Sequence, residues 1–435
     1  MAGKGVWWMD RFAHRRAHAG TAVVIALALA ACGGDASEPT PVPVPEVAPA
    51  NVQPWELPAP PGAAQPDLAL APDGRLLLAW LEPTDDGHRL RLAAVAADGG
   101  WEETRTVAEG RDWFVNWADT PHVQALADGS LWAHWLRNTG PSRMDYGIVL
   151  ARSGDAGQTW KETAPVHPGG TRGDHGFVTF WQQDEDRLGM AWLDSRQKAA
   201  AGATGHDSHR HGGGAAMMLR AAIHGPDGAQ LREWPLDAST CDCCTTDSAL
   251  TDKGVVVVYR GRSEGEIRDT RIVRLEGDAW TAPREVHRDG WHFAGCPVNG
   301  PAVAAEGMRV WVAWYTEADG WPEVRAAVSE DAGDSFGAPV PLIRGQPALG
   351  RVALATAGGR LYAAWLEEAS PETQRLRLMR YSADLSRSEM REVATFPASG
   401  RGSGLPRLQV TDGAAWLVWT EVVDGRPALR GAVVR

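Results

Sequence analysis

Ser153-Gly154-Asp155-Ala156-Gly157-Gln158-Thr159-Trp160 is the stretch that decides the fold of this chain. It follows the apolar run Tyr146-Gly147-Ile148-Val149-Leu150-Ala151 and precedes a new extended segment, so it predicts a β-hairpin turn. The glycines accept positive φ, the aspartate can bond nearby backbone N–H groups, and the tryptophan can pack beneath the turn. A degenerate copy, Ser329-Glu330-Asp331-Ala332-Gly333-Asp334-Ser335-Phe336, again follows a strand-like run. Two such turns at the same place within a longer repeat point to a modular all-β chain.

A second phrase, a short apolar strand ending in an aromatic, sets the length of that repeat. It closes on Trp80, Trp135, Trp192, Tyr259, Trp314, Trp365 and Trp419, at spacings of 55, 57, 67, 55, 51 and 54 residues. A period of this size with four short strands per unit predicts blades of a single β-propeller. Blades bury both faces, so continuous apolar runs and large aromatics are expected instead of strict alternation, and the repeated tryptophans belong to the core between blades. Seven four-stranded units are counted, with six as the alternative. The seventh, about 405–435, holds three strands, and Val52-Gln53-Pro54-Trp55-Glu56-Leu57 is expected to supply its fourth and close the ring.

The N-terminus is an address. Lys4, Arg11, Arg15 and Arg16 precede an apolar run, Thr21 to Ala31, too short to span a bilayer. Leu29-Ala30-Ala31-Cys32 resembles a bacterial lipobox, which implies a signal peptide over 1–31, lipidation at Cys32, and a membrane-anchored extracytoplasmic protein. Gly33 in place of aspartate favours the outer membrane, with exposure to the periplasm or the cell surface. Residues 32–51 are Pro-rich and read as an extended tether before a propeller domain over 52–435. A formal charge of −12 argues against a nucleic-acid partner.

In a propeller, the loop into each innermost strand and the loop out of each second strand share one face, around the channel mouth. Units 3 to 5 load that face with chemistry. Before their first strands stand Asp174 with His175, then Cys241-Asp242-Cys243-Cys244, then Cys296-Pro297-Val298-Asn299-Gly300-Pro301, and Asp119 stands before the first strand of unit 2. After the second strands come Asp194 and Arg196, then Arg260 and the nearby Arg268, then Tyr315 and Glu317. Asp119, Asp174, His175, Asp194, Arg196, Arg260, Arg268 and Asn299 are the candidate ligand contacts, arginine forks suiting an anion or a sugar acid. Cys241, Cys243, Cys244 and Cys296, with His206, His209 and His211 of the long loop in unit 3, are candidate ligands for copper or zinc. The C-x-C-C spacing is not that of a zinc ribbon, and the even number of cysteines beyond Cys32 fits disulfides in an oxidising compartment better, one bond from the triplet to Cys296 stapling units 4 and 5.

The two turns resemble the Asp-box, S-x-D-x-G-x-[TS]-[WF], of sialidase-like propellers, and the likeness extends over most residues after about 60. That resemblance implies a six-bladed glycoside hydrolase with an arginine triad, an aspartate acid/base and a tyrosine nucleophile assisted by glutamate. The first-arginine motif is absent, Pro66-Asp67-Leu68-Ala69 standing in its place. Asp194, Glu317 and Tyr315 are the only weak catalytic candidates. The segments around His175, Asp194-Ser195-Arg196, the Cys triplet and Cys296 are similar to those of a bacterial group of secreted sialidase-like proteins that brings no chemistry with it. Three readings stand: a propeller binding a ligand or metal ion over blades 3 to 5, an exo-glycosidase acting on a glycan, and a docking propeller for a protein partner with disulfide-stapled blades.

Overall fold

In the computed structural model, which describes residues 51–96, 99–168, 172–200 and 216–435, the chain forms seven antiparallel sheets. The segment expected to be a signal peptide, Cys32 and most of the expected tether lie outside the described residues, as do His206, His209 and His211. The innermost strands of blades 1 to 7 begin at Ala64, Val123, His175, Asp247, Ala302, Ala348 and Arg407. Each touches the next, and the seventh returns to the first, so the ring is closed. Closure uses the N-terminus as expected: Val52–Trp55 pairs with Arg426–Val434 as the outer strand of blade 7. The blade count is seven.

The second strand of each blade shows why the apolar runs do not alternate. In Gly254–Arg260, Val255, Val257 and Tyr259 pack against blade 3 while Val256 and Val258 pack against blade 5. Both faces are buried, so both residue sets must be apolar. Each of the seven interfaces between neighbouring blades holds its own apolar cluster. All seven of the phrase-ending aromatics are buried there, Trp80, Trp192, Tyr259 and Trp314 completely.

The two Asp-box turns adopt one geometry. Ser153 Oγ donates to Asp155 Oδ1 at 2.7 Å, and Thr159 N–H and Oγ1 donate to the two carboxylate oxygens at 2.9 and 2.6 Å. Ser329, Asp331 and Ser335 repeat this at 2.7, 2.8 and 2.6 Å. Gly157 and Gly333 take φ of 83° and 86°, where a side chain is strained. The turns join third to fourth strands, and antiparallel order puts them on the face opposite the mouth. A third, degenerate box lies in blade 6, where Ser382 Oγ and Ser386 Oγ both donate to Asp384 Oδ1 at 2.7 Å.

Candidate functional site

Register alone brings the first pair of site residues together. His175 opens the inner strand of blade 3 and Asp194 ends the second, so the two are cross-strand partners. His175 Nδ1 stands 3.4 Å from Asp194 Oδ1, long for a hydrogen bond, and its ring stacks on His167 with centroids 4.0 Å apart. Both His175 and Asp194 are fully buried. Burial alone would raise the Asp194 carboxyl, but His175 and a bidentate fork from Arg196 (2.9 and 2.7 Å) outweigh it and hold the group well below the carboxylate range. Trp192 Nε1 adds a third donor at 2.9 Å. An aspartate so held has no proton to donate at neutral pH, which removes the chemical basis for Asp194 as a general acid.

The expected ligand contacts at Asp119 and Asn299 act between blades. Asp119 Oδ1 accepts from Phe177 N–H of blade 3 at 2.6 Å, and Asn299 Oδ1 accepts from Arg351 N–H of blade 6 at 2.8 Å. Asp67 and Asp247 do the same for Val123 and Val303, each at 2.9 Å. These four staples join residues 52 to 58 apart, one blade period, a regularity the sequence carries but motif reading passes over. Asp119 is pushed up to about 7 by burial, with the neighbouring Asp174 adding repulsion. Tyr146, buried beside Asp119 and Asp174, is raised for the same reasons, and its surroundings include Cys243.

The three arginines expected to take an anion are engaged inside the protein. Arg260, 2% exposed, donates to the carbonyls of Asn299 (2.8 Å), Arg268 (2.6 Å) and Tyr315 (2.8 Å) and lies over the Trp291 ring. Arg268 donates to Glu266 at 2.5 Å and to the Phe293 carbonyl at 3.1 Å. Arg196 is shared between Asp194 and Glu233. The sequence places these residues on the mouth face but does not say that their forks point inward to satisfy loop carbonyls, as the structure shows.

The cysteines do converge. The Cys241, Cys243 and Cys244 sulfurs lie mutually within 4.8 Å, with Cys241 3.9 Å from Cys243 and 3.5 Å from Cys244. The four described cysteines carry no S–S bond in this structure. Hydrogen bonds from the Cys243 and Cys244 thiols hold Cys241 well below the thiol range against its burial, and Arg268 assists. Burial pushes Cys243 and Cys244 up. The loop is locked from three sides: Cys241 N–H donates to the Arg260 carbonyl at 2.9 Å, Thr246 Oγ1 donates to the Phe177 carbonyl at 2.7 Å, and buried Lys198 donates to Asp242 at 2.6 Å. Lys198, on the short helix Arg196–Ala200, does not stand out in the sequence because a lysine in a loop ordinarily solvates. Gly300 packs so tightly on Thr245 that a Cβ there would fall 2.1 Å from its hydroxyl, which binds the Cys296 loop to the Cys triplet loop.

Tyr315 Oη donates to Glu317 Oε1 at 2.5 Å, and burial together with that bond pushes the phenol well above its usual value. A polar cavity of about 380 Å³ runs along the axis, and every blade contributes to its wall.

No family model matches the chain, and no curated protein matches it. Among solved structures, the chain is similar to the α-L-arabinofuranosidase of Fusarium graminearum with arabinobiose: 12% identity over 86% of this chain and 93% of that one, TM-score 0.44. It is similar to the α-L-arabinanase of Penicillium chrysogenum with arabinobiose, at 13% identity, 86% and 93% coverage and TM-score 0.45. It is similar also to the phage phi92 endosialidase, at 12% identity, 89% and 69% coverage and TM-score 0.49. Likeness at this identity is one of fold alone. Asp-box turns on a closed ring of four-stranded blades make the architecture sialidase-like, here with seven blades.

Proposed function

We propose that this chain is a lipid-anchored extracytoplasmic propeller that binds a soft d¹⁰ ion, zinc or copper(I), through Cys241, Cys243 and Cys244 at the mouth over blades 3 to 5. One observation carries the reading, the spacing of the sulfurs. An ion with metal–sulfur bonds of ~2.3 Å in tetrahedral geometry sets its sulfurs ~3.8 Å apart; Cys241 stands 3.9 Å from Cys243 and 3.5 Å from Cys244, and all three sulfurs lie within 4.8 Å of one another. The thiols are thus grouped as ligands need to be, with Cys241 already favouring the thiolate that metals bind. Arg268 beside Cys241 and Arg260 beside Cys244 offset the negative charge that three thiolates would bring.

The test is elemental analysis and thiol titration of full-length protein taken from the membrane fraction without chelators. One equivalent of zinc or copper, lost in Cys244→Ser, is expected. Four oxidised cysteines and no metal would end the reading and favour the disulfide-stapled docking propeller. Cys32→Ser is expected to move the protein into the soluble fraction, and unchanged membrane association would remove the lipid anchor.

The Tyr315–Glu317 hydrogen bond supports a second reading, the glycosidase, since a phenol bonded to a carboxylate is the pair that the sialidase resemblance implies as nucleophile and helper. It predicts turnover of aryl glycosides that Tyr315→Phe abolishes. Turnover untouched by that change, or none across a glycan panel, refutes it.

A further inference from the structure

The four described cysteines are not equivalent. Cys241 and Cys244 are buried, Cys243 is partly buried, and Cys296 is exposed. The first three share one six-residue turn of blade 4, whereas Cys296 belongs to the loop leading into blade 5. Its thiol interacts with that of Cys243 yet stands outside the set of sulfurs lying mutually within 4.8 Å. Burial therefore decreases outward through the cluster, and the outermost sulfur comes from a different blade.

The loop that carries Cys296 is fixed on both sides of it. Upstream, Phe293 N–H donates to the Glu266 carbonyl at 3.0 Å and Gly295 N–H to the Phe293 carbonyl at 2.9 Å. Downstream, the Asn299 carbonyl receives Arg260 and the Asn299 side chain receives Arg351. Gly300 then sits against Thr245, directly after the triplet. These contacts hold the Cys296 loop against the triplet loop, with the Cys296 thiol exposed and next to that of Cys243, and within them Arg260 positions the loop instead of meeting a ligand.

Resting on the metal-site reading above, we infer that Cys296 is an exchange latch: an outlying fourth ligand that closes the site from solvent and sets how fast the ion leaves, while the blade-4 thiols alone suffice to hold it. A structural site closes all of its coordination positions with protein ligands, whereas a site that must react keeps one position open; an ion can likewise be handed to an acceptor only through a position the acceptor can reach. Here the accessible position is supplied by a sulfur that can swing away without disturbing the buried three. The site would thus release a soft monovalent copper ion to an acceptor that approaches from the mouth.

The experiment loads full-length protein anaerobically with copper(I) and follows transfer to the chromogenic chelator bathocuproine disulfonate by stopped flow. Wild type and Cys296→Ser are each expected to hold one equivalent, with release from the variant faster by about tenfold or more, the size of effect that outlying ligands and supports have on metal sites. Cys244→Ser, by contrast, should hold none. In the apo protein Cys296 should be the thiol alkylated first by iodoacetamide, and copper should protect it. Equal release rates for wild type and variant would overturn the latch, as would Cys296→Ser failing to hold copper, which would make it an obligate ligand of a closed site. Wild-type protein that takes up no copper or zinc while all four thiols remain titratable would sink the metal-site reading itself, a result distinct from either. Unchanged thermal unfolding of the exposed-site variant checks that the fold is intact.

Discussion

The two faces of the ring handle polar groups in opposite ways. On the far face, each of the two sequence-evident Asp-boxes satisfies its carboxylate within its own turn, at 2.6 to 2.9 Å, largely in contact with water. At the mouth, His175 Nε2 and Ser195 Oγ are buried without a hydrogen-bond partner, and three thiols crowd one another beneath the surface. A buried polar atom left unsatisfied costs about 1–3 kcal/mol. Buried unsatisfied atoms also occur toward the far face, at Ser130 Oγ and both His224 nitrogens, so it is the three clustered thiols that set the mouth apart. The contrast separates residues that build the ring from residues that the ring holds in place for another use.

Arg260 tests that division hardest, because it lies at the mouth yet holds the fold together. Arg260→Met would leave the Asn299, Arg268 and Tyr315 carbonyls without their buried donor. A loss of about 3 kcal/mol or more in denaturant unfolding is expected, from several unsatisfied groups. Stability within error of wild type would mean that the guanidinium is free for ligand after all.

Acid provides the next largest effect. Burial works against ionisation of Asp67, but His122 at 2.9 Å, Arg407 and the Val123 N–H outweigh it and bring the group down to about 2. A lowered carboxyl contributes stability that is complete above the unfolded value near 3.8 and is lost as pH falls through about 2. The size is on the order of 2 kcal/mol. Asp247 works oppositely: raised to about 6 by burial, it binds its proton more tightly when folded, so it erodes stability as pH climbs from about 4 to 6. Unfolding free energies measured from pH 2 to 7 should lose one carboxyl's share of the low-pH slope in Asp67→Asn and one share of the mid-pH slope in Asp247→Asn, while Asp194 and Asp119 keep theirs. A variant profile parallel to wild type would show that the channel carboxylates do not act as described.

How much of this is legible in the chain follows from what a strand pattern can and cannot encode. The aromatic period carries the core and a count of seven units with six still open, because only a buried two-sided strand needs Val255-Val256-Val257-Val258-Tyr259 in unbroken succession. Topology then assigns residues to the mouth, but the carboxylate that His175 faces is Asp194 across the strand pair and not its chain neighbour Asp174. Direction within that face is a different matter. Whether Arg260 turns to solvent or to three carbonyls depends on loop backbone that has no periodicity. Asp119 and Asn299 read as ligand contacts because a polar residue before a strand looks alike whether it binds a guest or the next blade. The box in blade 6 stays hidden because Ser386 replaces the glycine that signals the turn.

The smallest effect expected discriminates between the two sequence-evident boxes themselves. Their backbones match, but Gln158 of blade 2 corresponds to Asp334 of blade 5. Asp334 receives Lys253 at 2.9 Å, Arg274 at 2.9 Å and Arg284 at 3.0 Å, all from blade 4, and these partners hold its carboxyl far down. Asp334→Gln would convert the blade 5 turn into the blade 2 type. Its carboxylate is one-third exposed, so most of the attraction is screened, and Arg274 keeps Glu276 and the Ala332 carbonyl. The loss should therefore be about 1 kcal/mol or less, shrinking further in high salt. A cost of several kcal/mol, insensitive to salt, would show that this turn locks blade 4 to blade 5 and that the far face, too, depends on a buried charge.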